Sequence, residues 1–170
     1  WGGAIFIGDA QVIDVSDKEN PELISSWKTP SAFTHNLWFS DDNNYIFTTD
    51  EVTDGSIGAY DVSDVMNPTE IDVWEPLEED VIPHNTHFMN DFLITSHYTI
   101  GVSILSVLRP NNMLEVGRYD TSPNYNGDGY NGAWGAYPWL PSGKLLISDM
   151  EMGLYVLKPT YLHGCYLEGS

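Results

Sequence analysis

Val12-Ile13-Asp14-Val15-Ser16-Asp17-Lys18-Glu19-Asn20-Pro21-Glu22-Leu23-Ile24 has a counterpart further along the chain, Ala59-Tyr60-Asp61-Val62-Ser63-Asp64-Val65-Met66-Asn67-Pro68-Thr69-Glu70-Ile71. Each copy is an apolar run that ends in Asp-Val-Ser-Asp, a polar stretch closed by Asn-Pro, and a second apolar run. β-branched and aromatic residues fit the pleated, half-buried surface of a strand. Asp and Ser side chains accept hydrogen bonds from nearby backbone N–H groups, and Pro presets φ, so the polar stretch reads as a turn between strands. Pro21 and Pro68 lie 47 residues apart. A degenerate third copy, Gly101-Val102-Ser103-Ile104-Leu105-Ser106-Val107-Leu108-Arg109-Pro110, has lost its acids, and a fourth begins at Gly153-Leu154-Tyr155-Val156-Leu157.

A second element recurs between these copies. It reads His35-Asn36-Leu37-Trp38-Phe39, then His84-Asn85-Thr86-His87-Phe88, then Trp134-Gly135-Ala136-Tyr137-Pro138, with first positions 49 and 50 residues apart. Each is followed by a β-rich run closing in a short polar pair, Thr49-Asp50, Ser96-His97 and Ser148-Asp149. Helical periodicity is missing, and Pro and Gly are spread along the chain, which reads as all-β with many short strands. A period near 50 residues with four strands per unit fits the blades of a β-propeller. One four-stranded blade cannot bury both its faces, whereas blades stacked around an axis can.

The expected fold is therefore all-β, with propeller blades of four antiparallel strands. At about 48 residues each, about three and a half blades are present, part of a larger ring. The repeat region is expected over 1–168, with units near 1–30, 31–80, 81–130 and 131–160, and 161–170 as a C-terminal tail or the start of a following segment. The chain opens on Trp1 and runs into strand-like Ala4-Ile5-Phe6-Ile7, which reads as a mature or proteolysed piece, or the ordered part of something longer.

Acidic residues outnumber basic ones 25 to 6 over 170 residues, a formal net charge of -19. That argues against nucleic acid, whose phosphates are bound by Lys and Arg. Cations, basic proteins or plain solubility suit such a charge. No apolar run is long enough for a membrane-spanning helix. The lone Cys165 forms no internal disulfide; it reads as a buried thiol or as one that pairs outside the chain.

The repeat resembles the LVIVD-type propeller repeat of the choice-of-anchor B family of bacterial surface and secreted proteins. The resemblance is carried by the Asp-Val-Ser-Asp-x-x-Asn-Pro turns, by the His-Asn starts at His35 and His84, and by Tyr130-Asn131-Gly132-Ala133-Trp134-Gly135-Ala136-Tyr137-Pro138 with its continuation to Leu157. It covers residues 8 to 168, nearly the whole chain. It implies a propeller fold, export to the cell surface or the exterior of the bacterial outer membrane, and often a C-terminal anchoring segment. It implies no particular activity.

Three groups of residues invite a chemical reading. His35, His84, His87 and His97 lie in the repeated inner-strand region, with Asp50 and Asp149 at positions equivalent to His97 and with Glu51 and Glu151 nearby. If those strands line the axis, imidazole and carboxylate suit a divalent metal such as zinc. The structural reading is that repeated polar residues there hold neighbouring blades together by hydrogen bonds. Asn124, Asn126 and Asp128 mimic the front half of a calcium loop, but its twelfth position is Gly135 and supplies no bidentate carboxylate. Trp134, Tyr137 and Trp139, near Tyr125 and Tyr130, could stack on a sugar or a partner, or pack between blades. Nucleophile elbows and Gly-rich phosphate loops are absent from the sequence.

These features favour a binding or scaffold module for protein or glycan partners in a cell-surface assembly, not membrane-spanning. The alternative is a metal-dependent, lactonase-like hydrolase with a His/carboxylate site in the propeller channel.

Overall fold

The computed structural model describes residues 2–6, as backbone, and 8–167. Of the expected first strand, Ile7 lies outside the described residues, as do Trp1 and residues 168–170 of the expected tail. No helix occurs among the described residues, so none is long and apolar enough to cross a membrane.

The strands are β1 (Gly2–Phe6), β2 (Asp9–Asp14), β3 (Glu22–Lys28), β4 (Thr34–Phe39), β5 (Tyr45–Asp50), β6 (Ile57–Asp61), β7 (Thr69–Trp74), β8 (Thr86–Met89), β9 (Phe92–Ser96), β10 (Val102–Ser106), β11 (Leu114–Tyr119), β12 (Ala133–Tyr137), β13 (Leu145–Asp149) and β14 (Gly153–Leu157). They form four antiparallel meanders, β1-β2-β3, β4-β5-β6-β7, β8-β9-β10-β11 and β12-β13-β14. These are four successive propeller blades. The repeat aligns β2 and β3 with β6 and β7, so the first blade holds the second to fourth strand positions. The fourth blade holds the first three.

The expected turn chemistry is visible at both acidic copies. Asp14 Oδ1 accepts the Ser16 N–H at 2.8 Å, and Asp61 Oδ1 accepts the Ser63 N–H at 2.9 Å. One step on, the Asn20 amide donates to Asp17 at 2.8 Å and the Asn67 amide to Asp64 at 2.8 Å. The Ser63 hydroxyl, which also donates to Asp61 at 2.6 Å, and these bonds hold the Asp14, Asp17 and Asp61 carboxyls below the usual carboxylate range.

Alternate side chains of a strand point to opposite faces. The middle strands use this to serve two interfaces at once. On β5, Ile46 joins a cluster with Val12, Tyr60 and Val62 between the first two blades, while Phe47 joins Ile57, Phe88, Leu93 and Leu105 between the second and third. On β9, Leu93 faces the second blade, while Phe92 and Ile94 face Ala133, Leu145 and Ile147 of the fourth. Full burial of one such side chain contributes about 1.5–3 kcal/mol. On β14, Leu154 and Val156 are 66% and 54% exposed.

After β14 the chain crosses to the third blade, where His163 stacks on Phe92 with ring centroids 4.4 Å apart and its Nδ1 lies 3.1 Å from Ser106 Oγ. Cys165 is exposed, which corrects the buried-thiol reading: the crossing segment lies over the blades and leaves the thiol outside.

Candidate metal centre at the start of the inner strands

Strand β4 carries a bulge. Thr34 pairs with Asp50 and Asn36 with Thr49, so His35 is the extra residue. Strand β12 repeats it: Ala133 pairs with Asp149 and Gly135 with Ser148, leaving Trp134 as the extra residue. In the third blade His84 precedes β8, its N–H donating to Ser96 O at 2.8 Å. A bulge breaks the strict alternation of faces and re-aims a side chain. Here the three repeat-equivalent rings form a column: His35 stacks on His84 at 4.5 Å between centroids, and His84 on Trp134 at 5.5 Å.

Glu51 follows β5 and reaches this column. Its Oε2 lies 2.8 Å from His35 Nδ1, and its Oε1 lies 3.7 Å from His84 Nε2 and accepts the Tyr98 hydroxyl at 2.5 Å. One ligand atom from each of His35, Glu51 and His84 falls within 4.8 Å of the others; no further His, Cys, Asp or Glu group of this kind occurs among the described residues. His84 is buried, with His35 and Glu51 partly so. The second nitrogen of His84, Nδ1, donates to the Trp134 carbonyl. Burial holds the His84 pKa below the usual imidazole value and outweighs the upward pull of that carbonyl; nearby His35 lowers it further and Glu51 raises it. Burial and Glu51 together push the Tyr98 hydroxyl up, so it stays protonated and donates.

The other candidates lie elsewhere. His87 sits edge-on to Trp38 at 4.8 Å and to Trp139 at 5.2 Å, and burial lowers its pKa. His97 is fully buried, with Nε2 2.7 Å from Ser103 Oγ, and burial depresses its pKa to about 3. Asp50 accepts hydrogen bonds from Thr29 Oγ1 and from the Ser31 and Phe33 N–H groups at 2.8 and 3.0 Å. Asp149 accepts from Thr121 Oγ1 at 2.6 Å, from Ser122 Oγ at 3.0 Å, and from the Glu151 and Met152 N–H groups at 3.0 and 2.8 Å. Both carboxylates thus fasten the connector that enters their blade. His87, His97, Asp50 and Asp149 do not join the His35–Glu51–His84 group.

In the calcium-like loop Asn124 and Asn126 are exposed. Asp128 Oδ1 accepts from Thr53 Oγ1 at 2.9 Å and the Gly127 carbonyl from Thr99 Oγ1 at 2.9 Å, so both oxygens tie the loop to the second and third blades. Trp134 and Tyr137 are 53% and 48% exposed, and Trp139 stacks on Trp38 at 5.1 Å. Tyr130, 58% exposed, packs edge-on against Tyr98 at 5.1 Å.

No family model and no curated protein matches the sequence. Solved structures do match. A Lactobacillus plantarum protein is 18% identical with a TM-score of 0.67, over 89% of this chain and 50% of that one. A candidate 6-phosphogluconolactonase from Bacteroides uniformis is 19% identical with a TM-score of 0.64, over 92% of this chain and 53% of that one. A second, from Bacteroides fragilis, is 11% identical with a TM-score of 0.63, over 82% of this chain and 41% of that one. The fold is shared: this chain is part of a β-propeller. It spans about half the length of the solved structures it matches.

Proposed function

We propose that the chain belongs to an extracellular or cell-surface β-propeller that works as a binding or scaffold module for a protein or glycan partner. The observation that carries this reading is the exposed aromatic group at the ring column. Trp134 and Tyr130 present more than half their surface to solvent while their inner contacts are anchored on His84 and Tyr98. Rigid, half-anchored aromatic faces stack on sugars and form interface anchors at low entropic cost. Beneath them the Glu51 carboxylate accepts the hydroxyl of Tyr98, against which Tyr130 packs. The resemblance to the choice-of-anchor B repeat supports the surface location. The folded chain, presented to a panel of glycans and basic proteins, is expected to bind a subset and to lose that binding in Trp134→Ala. Binding that survives the substitution, or no binding across the panel, sinks this reading.

A second reading is favoured by the His35–Glu51–His84 group: metal-dependent hydrolysis of a small ester or lactone; two of the structural relatives are named as candidate 6-phosphogluconolactonases. At 11–19% identity those relatives speak for the fold, so this reading rests on the residues. A metal in such a site lowers the pKa of bound water and polarises a carbonyl. Lactone turnover that requires added metal and disappears in Glu51→Gln would support it.

A further inference from the structure

We infer that His35, Glu51 and His84 form a site for a divalent transition metal of the zinc class, with Tyr98 and the Trp134 carbonyl as positioning groups. This goes beyond the binding reading, and it stands or falls independently of hydrolysis.

The argument starts from hydrogen bonds. His84 Nδ1 donates to the Trp134 carbonyl, which sets the orientation of the ring and turns Nε2 towards Glu51. Among the described residues no hydrogen-bond donor reaches Nε2. What faces it is the Glu51 carboxylate, 3.7 Å away, itself only an acceptor. An imidazole nitrogen and a carboxylate oxygen thus face each other across a gap that one bound cation can span. His35 Nδ1 at 2.8 Å from Glu51 Oε2 completes the set. A proton on His35 satisfies one carboxylate oxygen but does nothing for His84 Nε2.

The surroundings match those of a metal site. Metal-binding His residues hold their second nitrogen on a carbonyl or carboxylate, and ligating carboxylates are themselves hydrogen-bonded. His84 has its carbonyl partner and Glu51 has the Tyr98 hydroxyl at 2.5 Å. The bulge at His35 gives the backbone reason why this ring leaves the alternation of β4. The donor chemistry selects the ion: two imidazoles with one carboxylate suit zinc, cobalt or iron(II), whereas calcium and magnesium take oxygen donors. Ligands on zinc stand about 2.0–2.2 Å from the metal, so the group, spread over up to 4.8 Å, adjusts by on the order of 1 Å on loading. Three protein ligands leave a position for water or a partner's donor atom, and His35 lies at the partly open side.

The test is titration of the purified, metal-stripped chain with zinc and with cobalt(II), followed by calorimetry, by the visible spectrum of bound cobalt and by thermal unfolding. The expected result is one equivalent bound, a cobalt spectrum of nitrogen and oxygen coordination, and a rise in Tm with zinc that excess calcium does not prevent. Glu51→Gln, which keeps the shape facing Tyr98, and His35→Asn, on the partly exposed side, are each expected to weaken binding at least about tenfold. The metal-free Tm of His35→Asn checks the fold if Glu51→Gln is unstable. Equal binding by wild type and both variants would place the ion on the acidic surface and overturn the inference, as would no binding. Metal bound at these residues without lactone turnover confirms the site and retires only the hydrolase reading.

Discussion

The second and fourth blades end their second strand in an aspartate, and in the third blade a histidine, His97, stands at the equivalent position just after the strand. Asp50 and Asp149 are buried acceptors that gather the Thr, Ser and backbone donors of the connector entering their own blade. His97 occupies the same repeat position, but its ring bonds only Ser103 in the next strand and leaves its buried Nδ1 without a partner. The third blade compensates through backbone: Tyr98 exchanges two hydrogen bonds with Ala133 of the fourth blade, at 3.0 and 2.9 Å. Equivalent positions in a repeat thus share a place in the fold without sharing a task. One blade ties itself to the chain before it, the other to the blade after it.

This contrast can be broken in several ways. The largest effect is expected at Gly101, in the β9–β10 turn with φ +81, where a Cβ would sit 2.2 Å from the Tyr119 carbonyl oxygen. Gly101→Ala should cost about 3 kcal/mol or more, read by urea unfolding, because backbone must move. Next comes Asp50→Ala, which strands buried donors and is expected to cost about 2–3 kcal/mol. His97→Ala in the same assay should cost less hydrogen bonding than Asp50→Ala; equal losses would mean that the two share a role after all.

The third test uses pH. The folded pKa of His97 is about 3 against 6.5 for the free side chain, so the unfolded chain binds a proton that the folded chain refuses. Stability is therefore complete above pH 6.5 and falls as pH drops towards 3, with a limiting slope of about 1.4 kcal/mol per pH unit from this group. His84 and His87 act in the same direction. His97→Gln should flatten the profile of Tm against pH in that window; an unchanged slope would show that the ring is not the group responsible. The smallest effect is expected at Gly153, the β13–β14 counterpart of Gly101, with φ +83 and open space where a Cβ would go. Gly153→Ala should cost about 1 kcal/mol, from backbone conformation alone.

Much of this architecture was legible in the sequence. The Asp-Val-Ser-Asp-x-x-Asn-Pro turns fold locally, so their chemistry follows from the residues themselves. The spacing of His35, His84 and Trp134 marked the inner strands because each opens a repeat. Where side chains point was harder to read. His35 and His84 meet because a bulge turns the first ring, and a bulge leaves no periodic trace. Glu51 was visible as a nearby acid, but its counterpart in the third blade is Tyr98, so no repeat signal marked either as a partner. His87, three residues from His84 in the same motif, packs instead between Trp38 and Trp139. His97 looked like a ligand because its equivalents are carboxylates, yet the interior that buries it offers a single hydroxyl.

The ring column has a consequence for how such a protein changes over evolutionary time. No single repeat contains the His35–Glu51–His84 group; one copy supplies His35 and Glu51, the next supplies His84, and a third contributes the carbonyl that orients it. Duplication of a blade elsewhere in the ring would leave the group intact. An insertion between the second and third blades would abolish it without disturbing either blade's own fold. The group is a property of neighbourhood, inherited only when adjacent copies are kept in order.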